Sequence, residues 1–431
     1  MTQADPAARG VVLVALLAAL CGLRGAGVTT LLAWTDLVIE AARYPLLFGV
    51  YVATWLAARG ATGESRRQRL LAGSLATAAL FDPLFLVGSV AWLAGLHALL
   101  PRLRMAFGYV IATYVGAAIA CHRDVFGTDP AVAQWGYVLA VGYTFRVAWL
   151  LHEVRLRREQ VIRFDELLLY FVFAPFFVIV PYMIAIPRFD GFCAGLDRHD
   201  PAVERSGLRL LVWGTALSVA AWLVRADYGP SELALASLAA GAYGLAFVHG
   251  FAAYFVEHLL AALAIAAILV GLVRVLGIDL GPSFDQPLRA QRLTEWWRRW
   301  NTHTHFRDLL VELFYYPVVM RLRRRPLRAT VLGCVAVFVV GSTLFHWPKH
   351  YFMRGYASFP IGSLAENLVM CALVAGSLVL EQRRAKARVT SPPATGIRAV
   401  ARTFIRTAIT LLLVYLAVGV IGRGVQRSIL A

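Results

Sequence analysis

The chain has 431 residues, 59% of them hydrophobic and 16% charged, with a formal net charge of +17 and a mean hydropathy of +0.66. Soluble domains average about 45–50% apolar and about 25% charged, so the composition excludes an ordinary soluble protein. The positive charge does not point to nucleic acid: the cations are arginines, with only Lys349 and Lys386 as lysines, and they sit in short loops between apolar runs, the positive-inside pattern of membrane proteins.

The first apolar run, 10–34, is preceded only by Arg9, so a retained helix is expected there rather than a cleaved signal peptide. Further runs follow at 44–59, 69–100, 105–121, 134–151, 166–187, 208–224, 232–249, 251–276, 328–346, 359–380 and 402–422. Counted by the apolar length that crosses a bilayer, they predict an all-α polytopic membrane protein of roughly 11–13 helices. The run 69–100 is long enough for two short helices broken at Asp82-Pro83. Cys21, Cys121, Cys193, Cys334 and Cys371 show no CxxC spacing, so neither a disulfide framework nor a zinc site is expected. No internal repeat is seen, and no polar segment is long enough to form a soluble domain. A single membrane domain over 1–431 is expected.

The arginine loops set an orientation. Loops 153–163, 321–328 and 381–388 are placed in the cytoplasm, which requires an even number of crossings between them. The runs 166–187, 208–224, 232–249 and 251–276 supply four; 328–346 and 359–380 supply two. The segment 278–328 then lies on the cytoplasmic side or dips into the membrane as a re-entrant piece. Residues 382–400, "QRRAKARVTSPPATGIRAV", form a basic, proline-containing linker before the last run.

The polar segment is chemically dense: "RLTEWWRRWNTHTHFRDLL" fills 292–310. Thr294 is expected to cap a helix whose positive end Glu295 complements. Trp296 and Trp300 are i, i+4 neighbours suited to an interface. Arg298 and Arg299 suit either the phosphates of an anionic donor or anionic lipid headgroups. His303 and His305 form an HxH pair, but no third ligand stands at a recognisable spacing, so no metal is expected. His346 is the only histidine on the apolar helix 328–346. An ionisable side chain at such depth is costly and marks function, and an imidazole takes a proton near neutral pH.

The run "FDQPLRAQRLTEWWRRWN" (284–301) resembles the signature of the membrane-bound O-acyltransferase (MBOAT) family, a Phe-Asp-x-Pro turn followed by an aromatic-Trp-Arg-Arg-Trp helix. The resemblance continues in "GLVRVLGI" (271–278), "FRDLL" (306–310), Tyr316-Pro317, the aromatic and proline-rich "YFVFAPFFVIVPYMIAIPRFD" (170–190), and "TLFHW" (343–347), where the family carries its helix-end histidine. Members that acylate exported polysaccharides usually carry histidine after the Arg-Arg-Trp element. Here the residue is Asn301, as in many lipid- or sterol-directed relatives. The resemblance implies an MBOAT-like fold with a signature core at about 251–350 and an integral, multi-pass place in a bacterial cytoplasmic membrane. It implies transfer of an acyl group from acyl-CoA or another acyl-thioester donor to a hydroxyl acceptor on a lipid, glycan or small molecule. His346 is then the general base, and Asn301 orients the acceptor or donates to the thioester carbonyl. Trp297, Arg298, Trp300 and His305 line the donor site or chamber. Two rivals stand beside this reading: O-acetylation of an exported polysaccharide with an extracytoplasmic partner protein, and a transporter or flippase of a lipid-linked substrate.

Overall fold

A computed structural model describes residues 6–25, 44–121, 127, 130–156, 162–175, 188–228, 245–281, 293–300, 304–345, 347–348, 361–385, 405 and 409. Among them every regular element is a helix. In chain order these are α1 (Pro6–Gly25), α2 (Tyr44–Arg59), α3 (Gly63–Phe81), α4 (Pro83–Leu99), α5 (Leu103–Ala120), α6 (Pro130–Tyr137, continued through a π-helical turn Val138–Tyr143 into Thr144–Leu156), α7 (Phe164–Val172), α8 (Phe189–Ala194), α9 (Pro201–Tyr228), α10 (Leu245–Val275), α11 (Leu293–Trp300), α12 (Thr304–Leu310, a π-turn Val311–Tyr315, then Tyr316–Arg321), α13 (Pro326–Phe345) and α14 (Ile361–Ala385). Contacts divide the chain into two compact units. The first holds Met1–Leu223 and His258–Pro282; the second holds Val224–Glu257 and Ser283–Ala431.

Three helices, α5, α9 over Pro201–Val224, and α13, are long and apolar enough to cross a membrane. On α5 the apolar Phe107, Ile111, Val115 and Ile119 are all exposed, at the i, i+4 spacing of one helix face. An outward apolar stripe of this kind marks contact with a membrane or a partner.

In the first unit, the break expected at Asp82-Pro83 is present and has a local cause. Asp82 caps α4, its Oδ1 accepting from the N–H groups of Leu84 and Phe85 at 2.9 and 3.1 Å, with proline at the first helical position, where no N–H is missed. Its Oδ2 accepts from Trp135 Nε1 at 2.8 Å, tying the turn to α6. Helices α9 and α10 meet backbone to backbone. A Cβ on Gly207 would stand 2.6 Å from Val275 N and 2.7 Å from Gly271 O, and one on Gly214 would stand 2.4 Å from Ile268 Cγ1. Small residues at a crossing are how helices approach closely where burial in lipid supplies no driving force.

Two expected spans take a different form. The run 166–187 does not behave as one crossing at its described ends. Helix α7 is nine residues long and runs parallel to α3: Arg163 pairs with Glu64 at 3.0 Å, Arg67 with Glu166 at 2.7 Å, and Ala174 N donates to Ser74 at 3.1 Å. After the run comes α8, whose Phe192 ring lies 5.5 Å from Tyr170 and 5.1 Å from Phe173. The chain then reaches Asp197, which pairs with the same Arg67 at 2.5 Å. Glu166 and Asp197, at the start of the run and beyond its end, therefore lie on one side of the unit. The residues 176–187 lie outside the described ones. Similarly, the runs 232–249 and 251–276 are not separated at Gly250, because α10 is one continuous helix of 31 residues.

In the second unit α12 and α13 form an antiparallel pair. Gly333 faces the Tyr315 ring, and Gly341 faces Leu310 and Phe314. The segment expected to be re-entrant or interfacial thus includes a full-length partner of α13, about 27 Å long at 1.5 Å per residue. Helix α14 packs on α13 through polar pairs: Gln382 donates to Thr330 at 2.8 Å, and Asn367 joins Ser342 and Thr343 at 3.1 and 3.3 Å.

Candidate functional site

The Trp-Arg-Arg-Trp element forms a helix, α11, as the sequence predicts. Trp297 packs its ring 4.7 Å from Phe338 at the middle of α13. Arg299 bonds Glu295 one turn back, at 2.8 Å. Thr294 does not cap the helix. It lies inside the first turn, which begins at Leu293, and its hydroxyl donates to Glu381 of α14 at 2.6 Å. Arg298 and Trp300 lie on α11 and His305 in the first turn of α12, with side chains outside the described residues. Asn301 and His346 lie outside the described residues altogether.

The helices on either side of these positions are described, and their register bears on the site. Tyr315 stands opposite Gly333, and Leu310 and Phe314 stand opposite Gly341. Continuing that antiparallel register by a turn brings the start of α12, with His305 and Arg307, level with Phe345 at the end of α13. His346 follows Phe345 directly, and Asn301 precedes α12 by three positions. Arg307 holds the neighbouring Asp308, Nε to Oδ1, at 2.9 Å. One turn before the end of α13, Ser342 and Thr343 engage Asn367, a polar clamp between α13 and α14.

The first unit holds a second polar cluster, which hydropathy did not reveal. Glu204, fully buried in the first turn of α9, accepts on Oε2 from His199 Nε2 at 2.7 Å and faces Arg9 and Arg59 at 3.4 Å each. Its other oxygen, Oε1, and His199 Nδ1 have no hydrogen-bond partner among the described residues. Arg59 also lies over the Trp55 ring at 5.1 Å. Arg66, fully buried, donates to two helix-terminal carbonyls, Ala58 of α2 at 3.4 Å and Leu276 after α10 at 2.5 Å. A cation at helix C-termini satisfies carbonyls left without partners and meets the negative helix end. Burial lowers its guanidinium to about 10, opposed by the carboxylate of Asp197. At the same end Arg274 bonds Ser206 and Asp279 at 3.3 and 2.7 Å.

A local signal for this cluster was present in "HDPAVE". Asp200-Pro201 repeats the Asp-Pro start seen at Asp82-Pro83, and Asp200 Oδ1 accepts from Ala202 N at 2.7 Å. An acid in the first turn then follows at Glu204. Nearby, Glu153 near the end of α6 accepts from Asp190 N at 3.4 Å. Burial, aided by the charge of Asp190, pushes its carboxyl up to about 7.

Compared with known proteins, the chain matches no family model and no curated protein. The fold and its apolar faces define a helical protein associated with a membrane, by three helices of crossing length.

Proposed function

We propose that the chain is a multi-pass membrane acyltransferase of the bacterial cytoplasmic membrane, moving an acyl group from a thioester donor to a hydroxyl. His346 is the general base, and the Trp-Arg-Arg-Trp-Asn element binds the donor. The observation that supports this most is the α12–α13 register, which makes the helix ends next to Asn301, His305 and His346 level with one another. The packing of Trp297 on Phe338 is a second support, since it holds the donor-binding helix on the helix that precedes His346. Acyl transfer needs a base at the acceptor hydroxyl and donors at the developing oxyanion, and this residue set offers both.

The test is His346→Gln in the purified full chain. It keeps polarity and most of the volume but removes the base, which is worth about 10²–10⁴ in rate. Turnover with an acyl-CoA is expected to fall below a hundredth while the melting temperature stays unchanged, and His350→Gln is expected to stay active. More than a tenth of wild-type turnover in His346→Gln overturns the assignment.

A specific observation favours transport as a second reading: Glu204 is fully buried, with Oε1 lacking a hydrogen-bond partner among the described residues. Ionisable groups held inside a membrane protein mark transport paths. Substrate uptake by vesicles carrying the chain, lost in Glu204→Gln and kept in His346→Gln, would select that reading.

A further inference from the structure

The arginine loops look alike in the sequence, but the structure separates them into two kinds. In the first unit several arginines are matched by carboxylates: Arg67 meets Glu166 and Asp197, Arg163 meets Glu64 and Asp165, and Arg274 meets Asp279, while Arg102 and Arg104 are an exposed pair that meets no carboxylate among the described residues. At the α12–α13 turn none is matched. Arg321, Arg323, Arg324, Arg325 and Arg328 are all exposed. None of them meets a carboxylate among the described residues, and the turn is closed by backbone bonds alone, Leu322 N to Val318 O and Arg325 N to Leu322 O.

Five like charges within eight positions repel one another, and no acid stands in the first turn of α13 to offset them. The turn is also edged by exposed apolar residues on both helices: Tyr316 and Met320 on α12, Leu327 and Val331 on α13. Unmatched cations bordering an outward apolar surface are complementary to one kind of ligand, a molecule with an anionic head and an apolar tail.

We propose that the α12–α13 turn is a binding site for the headgroup of an anionic phospholipid, with Arg323 and Arg324 as its principal contacts and the lipid chains along Met320 and Leu327. This assignment is independent of the acyl-transfer reading.

The test titrates the purified full chain in neutral detergent with phosphatidylglycerol and, separately, with phosphatidylcholine, reading bound lipid by native mass spectrometry. Phosphatidylglycerol is expected to bind in preference. Each juxtamembrane arginine contributes roughly fivefold, so R323Q/R324Q is expected to weaken it roughly thirtyfold while leaving phosphatidylcholine and the melting temperature unchanged. R325Q/R328Q, in the same turn, serves as the second variant and is expected to lose less affinity than R323Q/R324Q; an equal or greater loss overturns Arg323 and Arg324 as the principal contacts. Salt at 1 M is expected to remove the preference. An equal loss from R102Q/R104Q, which deletes the same charge elsewhere, overturns the site as a generic charge effect. Displacement of the lipid by millimolar inorganic phosphate or by an RNA oligonucleotide also overturns it, since either would identify a different ligand.

Discussion

Replacing Glu204 by glutamine removes one negative charge and almost no volume from a buried ionic cluster of the first unit. Glu204 is fully buried, its Oε2 lies 2.7 Å from His199 and 3.4 Å from both Arg9 and Arg59, and those two arginines are only 12% and 19% exposed. Removing one partner of a buried pair leaves charge uncompensated and costs about 3–5 kcal/mol. The residual exposure of Arg9 and Arg59 lets water reach them in part, which places the cost near about 3 kcal/mol. The comparison is Arg163→Gln, which also breaks contacts to two carboxylates, Glu64 and Asp165. There the partners are 47%, 49% and 25% exposed, so water screens the pairs and the cost is small. Equilibrium unfolding in mixed micelles measures both. Combining Glu204→Gln with Arg59→Gln should cost less than the sum of the two single changes, with a coupling of about 1–3 kcal/mol. The reasoning fails if Glu204→Gln is no more destabilising than Arg163→Gln, or if the double change is additive.

Two further outcomes follow from the packing and the titratable groups of the first unit. Gly207→Ala should destabilise by about 1–3 kcal/mol, because the atoms a Cβ would meet at 2.6 and 2.7 Å are backbone of α10 and cannot rotate away; Gly49→Ala, with open space around it, should be neutral or slightly stabilising in the same unfolding assay. For Glu153, just beyond the apolar run 134–151, burial raises the carboxyl from 4.5 to about 7. The folded state therefore holds a proton that the unfolded state has released, and stability present below pH 4.5 should decline as pH rises to about 7. A stability–pH series on wild type and Glu153→Gln checks this, and an identical slope for both would remove Glu153 as the cause.

Features set by neighbouring residues were legible in the sequence. The break at Asp82-Pro83 was, because a capping carboxylate and a proline act within a few positions of themselves. The Trp-Arg-Arg-Trp helix was, because its signature is contiguous. The lipid-length runs at α5, α9 and α13 were, because hydropathy adds residue by residue.

Direction and partnership were decided only by the tertiary structure. Hydropathy reads an aromatic, apolar run such as 166–187 but not what its flanks meet, and only the structure shows that Arg67 grips both Glu166 and Asp197. Gly250 reads as a break by composition, yet α10 runs through it, since a single glycine costs a helix only about 1 kcal/mol. Thr294 reads as a cap, but Glu381, 87 positions away, takes its hydroxyl. The arginine loops differ only in whether a carboxylate from elsewhere reaches them, as Glu204 reaches Arg9 across 195 positions and nothing among the described residues reaches Arg323. Coulomb energy depends on distance and burial in space, and neither is a property of the order of residues along the chain.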